Sequence, residues 1–403
     1  MKRRTLTTAL TAALTGTAAT GAAGPALADG GHSVGPRTTG GPGPHQSPAD
    51  RPPQLLLEGT GLYPRVVRLA HQGTANDRLL ASVVSFDGPS GYGGIWESTD
   101  GGATFAQVGT VSDEATGTGE GLCCATLYEL PRAVDDLPEG TLLWSASVGQ
   151  DIADRRMSIR IWASTDVGRT WERIAITAVA ANEGGLWEPE FAVADDGELV
   201  LWYCDETDGD DHSQKIVQQT SADGLTWTDP TPVIELEDPT ARPGMPNVRR
   251  LRSGHWAMSY EICGPQDLCR TYVRISRDPR TWGPVTARDP LIRAADGTEP
   301  RHTPTLTVDE DGSVLLGSQM HYLPDGRLSA LNGEVVLRTQ NRALHGNIRW
   351  VVEPAPVPVE DPWNNYCPNY SPTFVRTATG HLLEITTAPT EEGVCNPWYG
   401  SLT

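Results

Sequence analysis

Residues 182–206, NEGGLWEPEFAVADDGELVLWYCDE, read as one β-hairpin. Period-two alternation puts Trp187, Phe191 and Val193 on one face and Glu188 and Glu190 on the other. Ala194-Asp195-Asp196-Gly197 is a turn signal, and residues 198–203 form the return strand. Glu188, Glu190, Asp205 and Glu206 therefore gather at one end. By itself this hairpin is equally an acidic strand end dissolved in water.

The rest of the chain repeats it. Strand, tight polar turn and return strand recur over 63–87, 123–151, 187–206, 245–261, 301–321 and 369–387, with unit starts 56 to 68 residues apart. That period, with Gly-centred turns and strand-like patterning throughout, predicts an all-β, six-bladed β-propeller. A second marker falls between units: 98–105, 164–171, 221–227 and a worn copy at 276–282 resemble the Asp-box, S-x-D-x-G-x-T-W, of sialidase-type blades. Its role is structural, because Asp and Ser side chains bond the turn backbone, Gly takes the unusual dihedrals and Trp packs on the blade.

In an up-and-down blade the start of the first strand and the end of the second lie at the same end. The mouth of the central channel should thus be lined by Arg65, Asp87, Cys123, Cys124, Gln150, Asp151, Glu188, Glu190, Asp205, Glu206, Arg242, Glu261, Arg301, His302, His321 and Tyr370. A cleft so rich in ionisable groups is a candidate functional site. Two carboxylates facing across a channel can hydrolyse a glycosidic bond, one protonating the leaving oxygen while the other attacks the anomeric carbon or activates water. Alternation over 256–262 puts Trp256, Met258, Tyr260 and Ile262 on one face and Glu261 on the other. Glu188 and Glu261, from adjacent blades, are the candidate pair. Arg65 and Arg242 are candidates to hold substrate or tune a neighbouring acid. Trp187, Trp202 and Trp363 are candidate sugar platforms, although most of the twelve Trp should be blade core. His302 and His321 are further candidate substrate contacts.

Composition bounds the partners. Lys2-Arg3-Arg4, an apolar Thr/Ala-rich run and Pro25-Ala26-Leu27-Ala28 read as a secretory signal peptide over 1–28, by the general or the twin-arginine route. Removing its three cationic side chains takes the formal charge from −20 to −23. Such a chain is expected to be extracellular and monomeric, and to avoid nucleic acid and anionic membranes. Residues 29–54, rich in Gly, Pro, Ser and Thr, read as a disordered lead-in, leaving 55–403 for the propeller. Of seven cysteines, Cys263 with Cys269 and Cys367 with Cys395 can close loops. Cys123 and Cys124 form either a vicinal bridge or two thiols, and Cys204 is the simplest unpaired one. No spacing suggests zinc, and no cofactor or metal is expected.

Tyr63-Pro64-Arg65, Leu186-Trp187-Glu188-Pro189, Trp202-Tyr203-Cys204-Asp205-Glu206, Gln214-Lys215, Arg242-Pro243-Gly244-Met245, Ser259-Tyr260-Glu261 and Asn369-Tyr370-Ser371 resemble, in order, the motifs of glycoside hydrolase family 93. The resemblance runs from about residue 60 to the end. It implies a sialidase-like propeller that cleaves α-1,5-L-arabinan from the non-reducing end, releasing arabinobiose with retention. It also implies catalytic roles for Glu188 and Glu261, assistance from Tyr370, and substrate contacts from neighbours such as Lys215. The preferred assignment is Glu188 as nucleophile and Glu261 as acid/base. Glu190 stands where the family has an apolar residue, so Glu188 and Glu190 both remain open, with Glu188 the choice. The Cys123-Cys124 pair also departs from the fungal enzymes. The alternatives are an exo-sialidase, which would press Arg65, Arg242, Arg301 and Tyr370 into service, and a non-catalytic propeller binding glycan or protein.

Overall fold

Short strands alternating apolar and polar, joined by tight turns, can bury their apolar faces only by stacking sheet on sheet. Six antiparallel sheets do so in the computed structural model, which describes residues 52–339, 344 and 348–403. The expected signal peptide and nearly all of the lead-in lie outside the described residues. Blade one comprises Gly61–Arg68, Leu79–Asp87, Ser90–Ser98 and Ala106–Val111, and blade two Leu122–Glu129, Leu142–Val148, Ser158–Ser164 and Glu172–Val179. Blade three is the opening hairpin, Leu186–Val193 and Leu199–Asp205, with Lys215–Ser221 and Thr231–Ile234. Blade four holds Arg242–Arg250, Trp256–Cys263 and Arg270–Ser276; blade five holds Thr305–Val308, Val314–Gly317, Val335–Thr339 and Trp350–Pro354. Blade six holds Thr373–Arg376, Leu382–Pro389 and Cys395–Leu402, and takes its outer strand from Gln54–Leu55, paired as Gln54 with Tyr399 and Leu55 with Trp398. The ring is thereby closed by the first strand of the described residues.

Apolar clusters fill the spaces between blades. Trp202, Met258, Tyr260 and Ile262 pack in one, and Trp144 meets Trp162 edge-on at 5.3 Å in another. The alternation expected for 256–262 holds. Trp202, a candidate sugar platform, is instead core: it is fully buried and donates to Gln218.

The S-x-D turns follow the third strands of blades one to four. In the copy after blade two, Asp166 accepts from Thr170 N and Thr170 Oγ1, at 2.9 and 2.6 Å, while Ser164 Oγ accepts from Gly168 N at 3.0 Å. The worn copy, lacking that Gly, spends Asp278 on the backbone and guanidinium of Arg280. Cys123–Cys124, Cys263–Cys269 and Cys367–Cys395 are bridged and Cys204 is a buried thiol.

Two features depart from simple alternation. The unit expected over 301–321 is divided: Glu299–Arg301 and Met320–Tyr322 join the edge of blade four, with Arg270 opposite Arg301, and the remainder belongs to blade five. His302 and Thr303, both left-handed, mark the break. The second departure recurs at the mouth end of the inner strands. The register slips by one residue between Leu62 and Arg65, Cys123 and Thr126, Trp187 and Glu190, and Gly244 and Asn247. Each slip is a β-bulge whose extra residue is left-handed: Tyr63, Cys124, Glu188 and Met245, with Thr303 and Ser371 in the matching places of blades five and six. A proline follows in five of the six: Pro64, Pro189, Pro246, Pro304 and Pro372. Proline has no N–H to lose from the ladder and bars the preceding residue from the right-handed helical region. The bulge also inverts the alternation in the opening hairpin. Cross-strand partners share a face, so Trp187, opposite Cys204, falls with Glu190, opposite Trp202, and away from Phe191 and Val193.

Candidate active site

The bulges of blades four, five and six aim backbone N–H groups at side chains of the preceding blade. Glu188 is itself the left-handed residue of blade three, and its Oε2 accepts from Met245 N, the corresponding residue of blade four, at 2.9 Å. The thiol of Cys204, on the paired strand, donates to the same oxygen at 2.9 Å. Glu261, at the end of the second strand of blade four, accepts on Oε2 from Thr303 N of blade five at 2.7 Å. Ser371 N of blade six in turn donates to Thr303 Oγ1 at 2.9 Å. The ring that presents the acids is therefore built from bulge to bulge.

The two acids differ in setting. Burial, and then the Glu188 charge, push the Glu261 carboxyl up to about 8 against the pull of the Thr303 amide. It is a protonated acid at neutral pH. Burial also raises Glu188, but the Cys204 thiol and the Met245 amide stabilise its ionised form. Burial thus raises both acids, but the Glu188 charge raises Glu261 further while the Cys204 thiol and the Met245 amide lower Glu188, so the proton of the pair rests on Glu261. Tyr370 completes the group. Burial, then the charges of Glu188 and Glu261, raise its phenol well above the ordinary range, so it stays a neutral donor. Tyr63 lies beside it, with ring centroids 6.2 Å apart.

Several expected substrate contacts are occupied elsewhere. Glu190 is not beside Glu188 chemically: it is 2% exposed, paired to Arg249 at 2.5 Å, and accepts from Asn247 at 3.1 Å. His321 is fully buried between Ser318 Oγ and Gly333 N, out of reach of a substrate. Arg65 lies over the Tyr63 ring and donates to Ser371 Oγ at 3.0 Å. Lys215 pairs with Asp208 at 2.8 Å, and Asp205 caps Thr207. Arg242 bonds Glu206, Gln214 and Ser213, tying blade four to blade three. Trp187 is half-buried beside Arg155, and Trp363 is 52% exposed. His302 does join the site, with Nδ1 3.7 Å from Glu261 Oε2. Burial, then Arg301, lower it to about 4, so it faces Glu261 uncharged.

Sequence reasoning passed over Cys204, Met245 and Thr303 as partners of the acids. For Met245 and Thr303 the available signal was the proline that recurs after the same residue in five of the six units. Ligand atoms of Glu261, Cys263, Cys269 and His302 lie within 4.8 Å of one another. The disulfide, however, takes both sulfurs out of the thiolate form that a metal requires. An open groove of about 420 Å³ runs along the rim from Asn182 and Glu183 to Glu206, Thr207 and Asp208.

No protein-family model matches the sequence, and no curated protein is similar to it. Solved structures are similar. An α-L-arabinanase of Penicillium chrysogenum, in complex with arabinobiose, superposes with a TM-score of 0.70 at 24% identity, over 85% of this chain and 93% of that one. A family 93 α-L-arabinofuranosidase of Fusarium graminearum, also with arabinobiose, gives 0.70 at 25% identity and the same coverage. The NanB sialidase of Streptococcus pneumoniae gives 0.58 at 12% identity, over 87% of this chain and 70% of that one. The six-bladed fold is thus shared with glycoside hydrolases of family 93 and with sialidases.

Proposed function

We propose that this chain is a secreted, monomeric glycoside hydrolase that removes arabinobiose from the non-reducing end of α-1,5-L-arabinan by a retaining, two-carboxylate mechanism. The observation that carries the reading is the pairing of Glu261, protonated up to about pH 8, with a Glu188 held from two sides as a carboxylate. Glu261 gives its proton to the leaving oxygen. Glu188 attacks the anomeric carbon, and Glu261, now ionised, takes a proton from the water that releases the sugar. Tyr370 donates to the oxygens around the pair. The rim groove beside Glu206 offers room for the remainder of a chain substrate. The fold neighbours solved with arabinobiose support the choice of sugar.

The sialidase alternative needs a cluster of arginines open to a carboxylate. Arg65, Arg242 and Arg301 are each engaged by Ser371, Glu206 or Glu299, which disfavours it. The discriminating experiment incubates the protein with debranched arabinan and, separately, with a sialoside reporter. Arabinobiose from the first is expected, initially in the anomeric configuration of the substrate by NMR, and lowered by roughly a thousandfold in Glu261→Gln. Release from the sialoside alone would overturn the proposal. Glycan binding without release from either would leave a binding propeller.

A further inference from the structure

The two oxygens of Glu188 are not equivalent. Met245 N and Cys204 Sγ both reach Oε2, each at 2.9 Å, and among the described residues no donor reaches Oε1. Cys204 is fully buried, outside all three disulfides, and its single proton has this carboxylate as its acceptor. Burial, and then the adjacent Glu188 charge, hold that proton on sulfur by raising the thiol well above its ordinary range. An S–H group is a poor donor beside a hydroxyl, and a core site beside Trp202 and Tyr260 would accept an apolar side chain of similar size. Cys204 is one residue before Asp205 on a strand paired residue for residue with Leu186–Trp187, so its sulfur is delivered to the carboxylate by the same hairpin that carries Glu188.

Resting on the assignment of Glu188 as nucleophile, we infer that Cys204 is a positioning residue: with the Met245 amide it pins Oε2, fixes the carboxylate rotamer and leaves Oε1 as the attacking oxygen. Two donors on one oxygen polarise the ionised carboxylate without covering the other, and they cost no reorganisation when the bond to the sugar forms. Oε1 then makes the covalent bond while the glycosidic oxygen leaves with the proton of Glu261, so charge and atoms balance within the pair.

Cys204→Ser keeps a donor at the same place and Cys204→Ala removes it. The expected result is a kcat for Cys204→Ala roughly ten- to a hundredfold below wild type with KM little changed, and Cys204→Ser within about threefold. Losing a donor to the charged form also raises the Glu188 pKa, so the acid limb of kcat/KM moves to higher pH in Cys204→Ala and not in Cys204→Ser. A packing role alone would lower Tm in both variants and leave the limb where it was. An unshifted limb, or equal losses in Ala and Ser, would overturn the inference. If wild-type protein releases no sugar, the arabinanase reading fails by itself. Titration of ¹³C-carboxyl-labelled glutamates, with the Glu188 signal assigned by its loss in Glu188→Gln, still tests the contact. An upward shift in Cys204→Ala supports it and no shift refutes it.

Discussion

Glu188 and Glu190 are two residues apart, yet their surroundings give them different work. Glu188 sits at a left-handed bulge with solvent contact, whereas Glu190 is held by Arg249, Asn247 and Thr126. Glu188→Gln is expected to remove turnover and leave Tm near wild type. Glu190→Gln should do the reverse, because it weakens a charged hydrogen bond to the partly exposed Arg249, at a cost of about 1–2 kcal/mol, while touching no reacting atom. Thermal melts and arabinan assays on the two variants check this directly. The raised acids also fix the pH profile. Glu188 must be ionised, so kcat/KM falls as pH drops through its raised pKa; Glu261 must be protonated, so kcat/KM falls as pH rises past about 8. A rate profile still climbing well above pH 8 would contradict the assignment of Glu261 as the acid.

At the scale of the element, the turns and the bulges divide stability from chemistry. The S-x-D turns lie at the end of the blades opposite the acids. Asp166 accepts from Thr170, Arg169 and Ser164, and these bonds hold its carboxyl below the usual range despite some burial. Asp166→Ala should cost about 1–2 kcal/mol of stability, as loss of a side-chain cap does, and leave kcat and KM unchanged. The bulges do the opposite. They spend backbone conformational energy at Met245 and Thr303 to turn N–H groups toward carboxylates, and at Glu188 to place the carboxylate that Met245 meets. Period-two alternation, applied without the bulges, misplaced Trp187 and joined 301–321 into one hairpin. The recurring prolines were visible in the sequence, but a proline reports a local restriction and not which carboxylate its neighbour will meet.

Across the whole molecule the ring buries acids as well as apolar side chains. Glu384, in blade six and away from the mouth, is 1% exposed and accepts from Val357 N at 2.8 Å. Burial pushes its carboxyl up to about 8. The native chain therefore keeps a proton that the unfolded chain releases above about 4.5, so this residue's contribution to stability is lost as pH rises from there towards 8. Glu384→Gln is expected to melt above wild type at pH 8 and close to level with it near pH 4.5, with the difference growing as pH rises between the two. Equal Tm values at both pH values would show that Glu384 is ionised in the fold.

The six-fold repeat, the all-β class, the S-x-D turns and the odd cysteine were determined by the sequence alone, because alternation, turn chemistry and residue counts are local properties of a chain. The candidacy of Glu188 and Glu261 was legible in the same way, from their places at strand ends. The tertiary structure alone decided the rest: that Glu190 is paired away, that His321 is sealed, that Cys204 and Met245 meet on one oxygen of Glu188, and that the first strand closes the last blade. The contacts with Met245 and with Arg249 join residues 57 and 59 positions apart, and the closing pair Gln54–Tyr399 spans nearly the whole domain. Such partners are chosen by how one blade sits against the next, and that packing exists only once the ring has closed.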